Sequence, residues 1–386
     1  MSTLIEGLFN GLSIGSVLLI AALGLAIVFG LMGVINLAHG ELMMLGAYAT
    51  FVVQNIFKSW GDPWFDFYII VAIPVAFIVS ATVGLILERG AIRFLYGRPL
   101  ETLLATWGVS LILQQFVRSV NWLLFISLGI SSLLFFGGMK LVKNRADWVI
   151  IKHKAIALLL FLATGIAIAF YYLLNNNTTL TEPWFSARNV DVTAPSWLRD
   201  GTTALGFQMP YVRLFIIALT ILCLVGVYWF LQRSTWGLKI RAVTQNRTMS
   251  SCLGIPTAQV DALTFALGSG LAGIAGCAVS LLGSVGPNTG QNYIVDTFMV
   301  VVVGGVGNLL GTVLAALGIG ILNYLIGSGT FALFLTSFNV PQPVIDFFLF
   351  FATSSMAKVM VFVLIITFLQ IKPAGLFPQK GRTAEL

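Results

Sequence analysis

The sequence predicts an all-α protein, a polytopic bundle of about 10 to 11 transmembrane helices that includes one broken or short helix. Of its 386 residues, 58% are hydrophobic and 9% are charged, against about 25% charged residues in ordinary soluble domains. Apolar runs of about 20 residues, the length that crosses a bilayer as a helix, recur from one end to the other. We therefore expect a single transmembrane domain over residues 1–386 and no soluble domain.

The expected spans follow one another along the whole chain. The first apolar run is longer than a signal-peptide core and has no basic residue before it, so we interpret it as a retained span. The spans are expected near residues 4–31, 36–57, 66–87, 100–118, 121–139, 155–174, 211–231, 261–283, 296–306, 309–326 and 345–371. The piece 296–306 is too short to cross and ends in glycines, which predicts a helix broken at membrane depth.

The positions of the basic residues predict the orientation of these spans. If the N-terminus lies outside, alternation of the spans places most of the 21 Lys and Arg residues in inside loops, as the positive-inside rule requires. These loops are 88–98, 140–154, 233–247 and the tail from residue 372. We expect a multi-pass plasma-membrane protein with a cytoplasmic C-terminus, whose positive charge follows topology and does not indicate nucleic-acid binding.

The segment 233–260 is predicted to be a cytoplasmic coupling loop. A short helix is expected after Asn246, with Met249, Cys252 and Leu253 on one side, and it should end at Gly254 before a proline. One interpretation is an ordinary interfacial helix. The other is a docking helix that fits a groove in a cytoplasmic partner.

The motifs that would indicate an enzyme are missing from the sequence. No G-x-x-x-x-G-K-[S/T] phosphate loop occurs, and the scattered polar residues suggest neither a Ser-His-Asp set nor a metal site. Cys223, Cys252 and Cys277 have neither disulfide nor metal-ligand spacing and are interpreted as packing residues. We expect no enzyme activity, bound cofactor or metal on this chain, and any ATP must be hydrolysed by another subunit.

Polar residues within the spans are candidates for the substrate path, because such groups are costly in lipid. The path hypothesis names Asn36, His39, Gln114 and Asn308. Asn36 and His39 would share a helix face while Glu41 points nearly opposite, toward a basic or backbone group at the inner interface. His39 has the alternative of a structural hydrogen bond. Lys358 lies deep enough in the last span to need a partner or water.

Several blocks of the sequence resemble one family of membrane permeases. They are "GLSIGSVLLIAALGLAIVFGLMGVINLAHGELMMLGAY" near the start, "RPLETLLATWGVSLILQQ" at 98–115, "GLKIRAVTQNRTMSSCLGIPTAQVDALTFALGSGLAGIAG" at 237–276, "GSVGPNTGQNYIVDTFMVVVVGGVGNLLGT" at 283–312, and "KPAGLF" near the end. In this order they resemble the permease subunits of bacterial branched-chain amino acid and urea ABC importers. The second, third and fourth blocks look more like the urea branch.

The resemblance implies a permease that imports urea or a closely related small amide. A branched-chain amino acid permease and a passive small-solute channel are the alternatives, and an intramembrane enzyme such as a lipid-modifying transferase has little support. The scarcity of charge along the spans suits a neutral or zwitterionic solute.

The expected partners are a second homologous permease subunit, two cytoplasmic ATPase subunits that bind ATP and Mg, a periplasmic solute-binding protein and the lipid bilayer. The family pattern implies contacts with the ATPase at Arg241, Ala242, Asn246, Gly254, Ile255 and Pro256. Residues 120–186, which shorter family members lack, are expected to form an inserted helical hairpin outside the substrate path.

Overall fold

The structure is a computed structural model in which the chain divides into two compact units. It describes residues 2–143, 156, 158–159, 161–166, 168–169, 171–172, 184–185, 189–204, 207–336 and 341–377. The first unit is Met1–Leu111 with Val190–Leu386, and the second is Ile112–Asn189.

Helices make up almost all of the regular structure in these residues. The elements before residue 190 are α1 (Ser2–Met32), α2 (His39–Trp60), α3 (Asp62–Phe65), α4 (Tyr68–Gly90), a 3-10 turn (Ile92–Leu95), α5 (Pro99–Ser119) and α6 (Trp122–Lys143). The later elements are α7 (Ser196–Arg199), β1 (Gly201–Ala204), β2 (Phe207–Pro210), α8 (Tyr211–Arg233), α9 (Thr235–Gln245), α10 (Arg247–Cys252), α11 (Thr257–Leu282), α12 (Thr289–Gly304), α13 (Leu309–Gly327), α14 (Thr330–Thr336), α15 (Gln342–Phe350) and α16 (Ser354–Ile371). The strands β1 and β2 form an antiparallel hairpin.

The predicted all-α membrane bundle is confirmed. Within the described residues, seven helices are long and apolar enough to cross a bilayer, or eight if α15 and α16, bent by 107°, form one broken span. The seven are α1, α4, α5, α6, α8, α11 and α13. Helix α2 is long enough but more polar, and the predicted piece 296–306 is the end of the 16-residue α12. Most of the predicted span 155–174 lies outside the described residues.

Helices α1 and α11 form the buried centre of the first unit, and glycines let their backbones approach closely. Gly268 faces the carbonyl group of Gly24 on α1, and Gly276 faces the carbonyl group of Met43 on α2, so a side chain at either position would collide with backbone. Small residues serve this purpose in membranes, where lipid is as apolar as leucine and close packing drives helix association. Helix α11 thereby packs against α1, α2 and α4 together.

A helix ends among the glycines of the predicted piece 296–306, but that piece is only the second half of α12, which begins at Thr289. The helix ends at Gly304, and Gly305 adopts φ +98°. The freed carbonyl groups are satisfied by the C-terminal segment: Leu376 N donates to Val303 O (2.8 Å) and Phe377 N to Gly304 O (3.4 Å). Backbone groups at a break in a membrane helix need such partners.

The segment that precedes the β-hairpin is fixed to the end of α2 and the start of α4. The carboxylate of Asp66 accepts hydrogen bonds from Ser196 N (2.7 Å) and Ser196 Oγ (2.6 Å), and these hold the pKa of Asp66 below its ordinary value. Trp197 Nε1 donates to Asp66 O, and Tyr68 Oη donates to Thr193 O (2.8 Å). These bonds close one end of the bundle.

The second unit contains the end of α5, helix α6 and the few described residues after it. Trp184 N donates to Val120 O, and the Trp184 ring packs edge-on against Trp122 with centroids 4.8 Å apart. The helical hairpin expected over 120–186 falls partly outside the described residues and stays a prediction.

Candidate functional site

The predicted coupling loop begins with α9, which follows α8 directly. Ser234 caps α9 by accepting a hydrogen bond from Gly237 N (2.9 Å). Arg241 Nη1 donates to Gln232 Oε1 (2.8 Å), so this guanidinium is held on the surface at the end of α8, with Ala242 half-buried beside it. The helix positions the chain for a second, shorter helix.

The short helix expected after Asn246 is confirmed as α10. Asn246 Oδ1 accepts a hydrogen bond from Met249 N (2.9 Å) and caps its start. At its end, Ile255 N donates to Ser250 O and Gly254, at φ +80°, donates to Ser251 O. This pair of bonds is the Schellman arrangement, which favours glycine because of its left-handed backbone.

The apolar side chains of α10 point away from the bundle. Met249 is 59% exposed and Leu253 75% exposed, and Cys252 is exposed as well, so its interpretation as a packing residue is wrong, while Cys223 and Cys277 are buried. An apolar face on a rigidly capped helix is a surface suited to a protein partner.

A charged cluster ties the start of α10 to the bundle. Arg247 Nη2 lies 2.5 Å from Asp261 Oδ2 on α11, and its guanidinium lies over the Tyr96 ring at 5.0 Å. Tyr96 Oη in turn donates to Glu88 Oε1 on α4 (3.0 Å). Burial, and next the nearby Glu88 carboxylate, raise the pKa of Tyr96, so it stays protonated as a donor. We call these four residues the inner charge cluster.

Sequence reasoning did not identify the inner charge cluster. Its signal was the presence of Asp261 in an apolar span, since carboxylates there are rare and need a cation. The cation is contributed by Arg247, 14 residues earlier in the chain.

The structure places Asn36 before α2 and not on it, because the helix begins at His39. The expectation that Asn36 and His39 share a helix face is therefore wrong. Gly33, at φ +68°, ends the helical path of α1, and Leu37 N donates to Thr106 Oγ1 of α5 (3.2 Å). The connection between α1 and α2 is thus held by α5.

His39 and Glu41 are both completely buried at the start of α2. His39 Nε2 lies 3.0 Å from Ala21 O of α1, and because a carbonyl oxygen only accepts, Nε2 must carry the hydrogen. Glu41 Oε1 accepts a hydrogen bond from Ser110 Oγ of α5 (3.1 Å). The geometry of His39 matches its alternative reading, a hydrogen bond within the bundle.

Two cavities in the described part of the chain differ in size and lining. The one beside Asn36 and Thr106 measures about 10 Å³, which holds about one water molecule. The other measures about 230 Å³ and is lined only by apolar parts of α1, α4, α8, α9 and α11, among them Phe77, Phe230 and Leu271. It offers nothing to bind the polar groups of a solute.

The two remaining predicted path residues lie on other elements than Asn36 and His39. Asn308 caps α13, where its Oδ1 accepts from Leu310 N (3.1 Å) and Gly311 N (3.3 Å), and its Nδ2 donates to Phe377 O. Gln114 lies buried on the part of α5 that belongs to the second unit.

Lys358 has an ion-pair partner, as expected for a cation within a predicted span. Its Nζ lies 2.8 Å from Asp296 Oδ2 on α12 and 3.3 Å from Asn292 O, and it lies over the Tyr293 ring at 6.0 Å. Only 7% of the Asp296 side chain is exposed, against 38% of Lys358. This pair joins α12 to α16 at one end of the bundle, while no cluster of three His, Cys, Asp or Glu side chains suited to a metal occurs in the described part of the chain.

The chain is similar to known membrane permeases. The family model described as branched-chain amino acid transport system / permease component matches residues 7–369. The chain is 27% identical to the high-affinity branched-chain amino acid transport system permease protein BraD of Pseudomonas aeruginosa, over 82% of this chain and 84% of BraD. It is 25% identical to LivH of Escherichia coli with the same coverage, and 24% identical to a probable branched-chain amino acid transport permease protein LivH of Methanocaldococcus jannaschii, over 88% of this chain and 86% of that relative. No solved structure matches.

Proposed function

The chain belongs to the family of branched-chain amino acid transport permease components, and from this premise we propose that it is the membrane subunit of an ATP-driven importer of branched-chain amino acids. The observation that carries the proposal is the family match across residues 7–369, on a helical bundle that presents one capped, exposed helix between α9 and α11. The named relatives are branched-chain amino acid permeases, which supports this substrate class.

Urea is the competing substrate. The blocks at 98–115, 237–276 and 283–312 favoured it in the sequence, but the relatives described above carry no urea name. Labelled urea, a smaller solute without charge, is therefore the second substrate in the uptake experiment described below.

The proposal includes partners that supply the energy and deliver the solute. ATP and Mg would bind two cytoplasmic ATPase subunits, since this sequence lacks a phosphate loop. A second homologous permease would complete the membrane portion, and a periplasmic solute-binding protein would deliver substrate. The α10 end of the bundle would face the cytoplasm, which places Arg89, Arg93 and Arg233 inside as the positive-inside rule requires.

We assign coupling to α10 and its flanks, Arg241, Ala242, Asn246, Gly254, Ile255 and Pro256. The exposed Met249 and Leu253 would enter a groove of an ATPase subunit, and the inner charge cluster would transmit the movement to α4 and α11. Two fixed caps allow α10 to move as one rigid element.

The predicted path residues Asn36, His39, Gln114 and Asn308 remain part of the proposal. Asn36 and His39 are buried, and the cavity that Asn36 lines measures only about 10 Å³, so a path beside them requires movement of α2 relative to α5.

The test is uptake by liposomes that contain this chain with its partner permease, ATPase and binding protein. Labelled leucine should accumulate only with ATP, and labelled urea should not. Uptake of leucine by the chain alone, independent of ATP, would identify a passive channel instead. Uptake of urea in place of leucine would restore the urea reading.

A substitution at Gly254 tests the coupling assignment. Gly254→Val places a β-branched residue at φ +80° in open space, so it distorts the end of α10 without a clash inside the bundle. We expect ATP hydrolysis to continue while uptake falls. Gly61→Val is the matched control, because Gly61 also has a positive φ and open surroundings but lies between α2 and α3.

A further inference from the structure

The first two turns of α12 present a stripe of carboxamides at the surface. Asn288, Gln291 and Asn292 are exposed at spacings of three and four, so they lie on one face of the helix. Val295 continues the same face and is 46% exposed. We call Asn288, Gln291 and Asn292 the carboxamide stripe.

The carboxamide stripe is not suited to contact with lipid. Polar side chains exposed to lipid are costly and instead face water or protein. The ammonium of Lys358, on the neighbouring α16, lies 3.3 Å from the backbone carbonyl oxygen of Asn292. A polar surface with a half-exposed cation therefore lies beside the Asp296 carboxylate.

This arrangement has the charges that a zwitterion requires. An α-amino acid carries an ammonium and a carboxylate on neighbouring atoms, and Asp296 and Lys358 present the opposite charges 2.8 Å apart. Lys358 is a flexible point charge that can turn from Asp296 to a bound carboxylate. The solute ammonium would then donate to the released Asp296 oxygen, so no charge is left unpaired.

Resting on the proposed function, we propose that the Asp296–Lys358 pair and the carboxamide stripe form a binding site for the charged end of a zwitterionic amino acid. Gln291 and Asn292 contribute further donors and acceptors, and Val295 offers an apolar contact for the aliphatic side chain. Without solute, Asp296 and Lys358 bind each other, and a zwitterion replaces this contact with one to each residue. A solute with one charge would leave Asp296 or Lys358 without a partner.

The deciding experiment reverses the pair in the reconstituted complex. Asp296→Lys with Lys358→Asp keeps opposite charges on α12 and α16 but loses the bond from Lys358 Nζ to Asn292 O. The unfolding midpoint and the presence of the second permease are therefore measured beside uptake, to separate a structural loss from a loss of recognition. Recognition of the solute predicts that kcat/KM for leucine falls by about 10- to 100-fold, the size expected for losing charge-assisted hydrogen bonds. In the wild type, leucinamide and isovalerate, which each lack one charge, should compete with leucine far less than valine does.

Two further measurements keep the outcomes distinct. Gln291→Leu should lower leucine uptake, while Gln342→Leu, which changes an exposed carboxamide on α15, should not. Normal leucine uptake by the reversed pair would overturn the site and leave the proposed function standing. Loss of the second permease from the purified complex would overturn it in favour of a subunit interface, and a wild type that carries urea but not leucine would overturn the proposed function itself.

Discussion

Asp261 on α11 and Asp296 on α12 are both buried carboxylates, and each is paired with a cation that stays partly exposed. They differ in the cation and in what holds it. Arg247 presents a planar fork that also lies over the Tyr96 ring, and Tyr96 is fixed by Glu88. Lys358 is a flexible ammonium that lies over the Tyr293 ring and 3.3 Å from the backbone carbonyl oxygen of Asn292. We infer that the Arg247–Asp261 pair stays closed and that the Lys358–Asp296 pair can exchange partners, because an ammonium is a flexible point charge and a guanidinium is a rigid fork.

The largest effect should follow removal of the closed pair's cation. Arg247→Met leaves the Asp261 carboxylate buried without its partner, which costs about 3–5 kcal/mol for a fully buried pair and less here because 49% of the Arg247 side chain is exposed. We expect a lower thermal unfolding midpoint, followed by tryptophan fluorescence in detergent, and loss of ATP-driven uptake. Arg247→Lys keeps the positive charge but lacks the planar guanidinium, so its unfolding midpoint should lie between those of the wild type and Arg247→Met. An unchanged midpoint would show that Arg247 does not stabilise the bundle.

A smaller effect on stability is expected at the exchanging pair. Lys358→Met should lower the unfolding midpoint by less than Arg247→Met, because the ammonium of Lys358 is a flexible point charge whereas Arg247 presents a rigid guanidinium fork. Adding Asp296→Asn removes the stranded charge and should recover stability but not leucine uptake. The double variant Arg247→Met with Asp261→Asn is the matched comparison. Recovery of uptake together with stability at Asp296 would make the two pairs equivalent.

The hydroxyl of Tyr96 separates the ring contact from the hydrogen bond in the inner charge cluster. Tyr96→Phe keeps the ring under Arg247 and removes only the bond to Glu88, which is worth about 1.5–3 kcal/mol because its acceptor is a carboxylate. Uptake should stay within about twofold of the wild type, measured beside the unfolding midpoint. A loss of uptake as large as that of Arg247→Met would show that the hydrogen bond from Tyr96 to Glu88 makes the main contribution within the inner charge cluster.

The smallest effect is expected at the surface pair of Arg98 and Glu101. Their side chains are 66% and 54% exposed and three residues apart at the start of α5, and such pairs contribute about 0–1 kcal/mol. Arg98→Gln should leave both midpoint and uptake unchanged. A clear change would mean that Arg98 contacts a partner subunit.

Features determined by neighbouring residues were predictable from the sequence. Asn246 and Gly254 mark the ends of α10 because capping depends on side chains and backbone within a few residues. The need of Lys358 for a partner was equally clear, since a cation in a span is costly. Its identity was not, because Asp296 lies 62 residues earlier in the chain.

The start of α2 was placed too early for a related reason. Residues 33–38 are apolar except for Asn36, so composition alone does not separate a helix from a connection. The positive φ of Gly33 and the hydrogen bond from Leu37 to Thr106 decide the boundary, and the second depends on α5. The exposed face of α12 likewise became visible only when its packing was known.

Helix α2 also has a consequence for how the protein is made. Helix α2 is not among the helices that are long and apolar enough to cross a bilayer. Its polar groups contact later parts of the chain: Ser80 donates to Leu42 O, Ser110 donates to Glu41, and the Met43 carbonyl packs against Gly276. During synthesis, the polar groups of α2 therefore find all these partners only after α4, α5 and finally α11 have emerged.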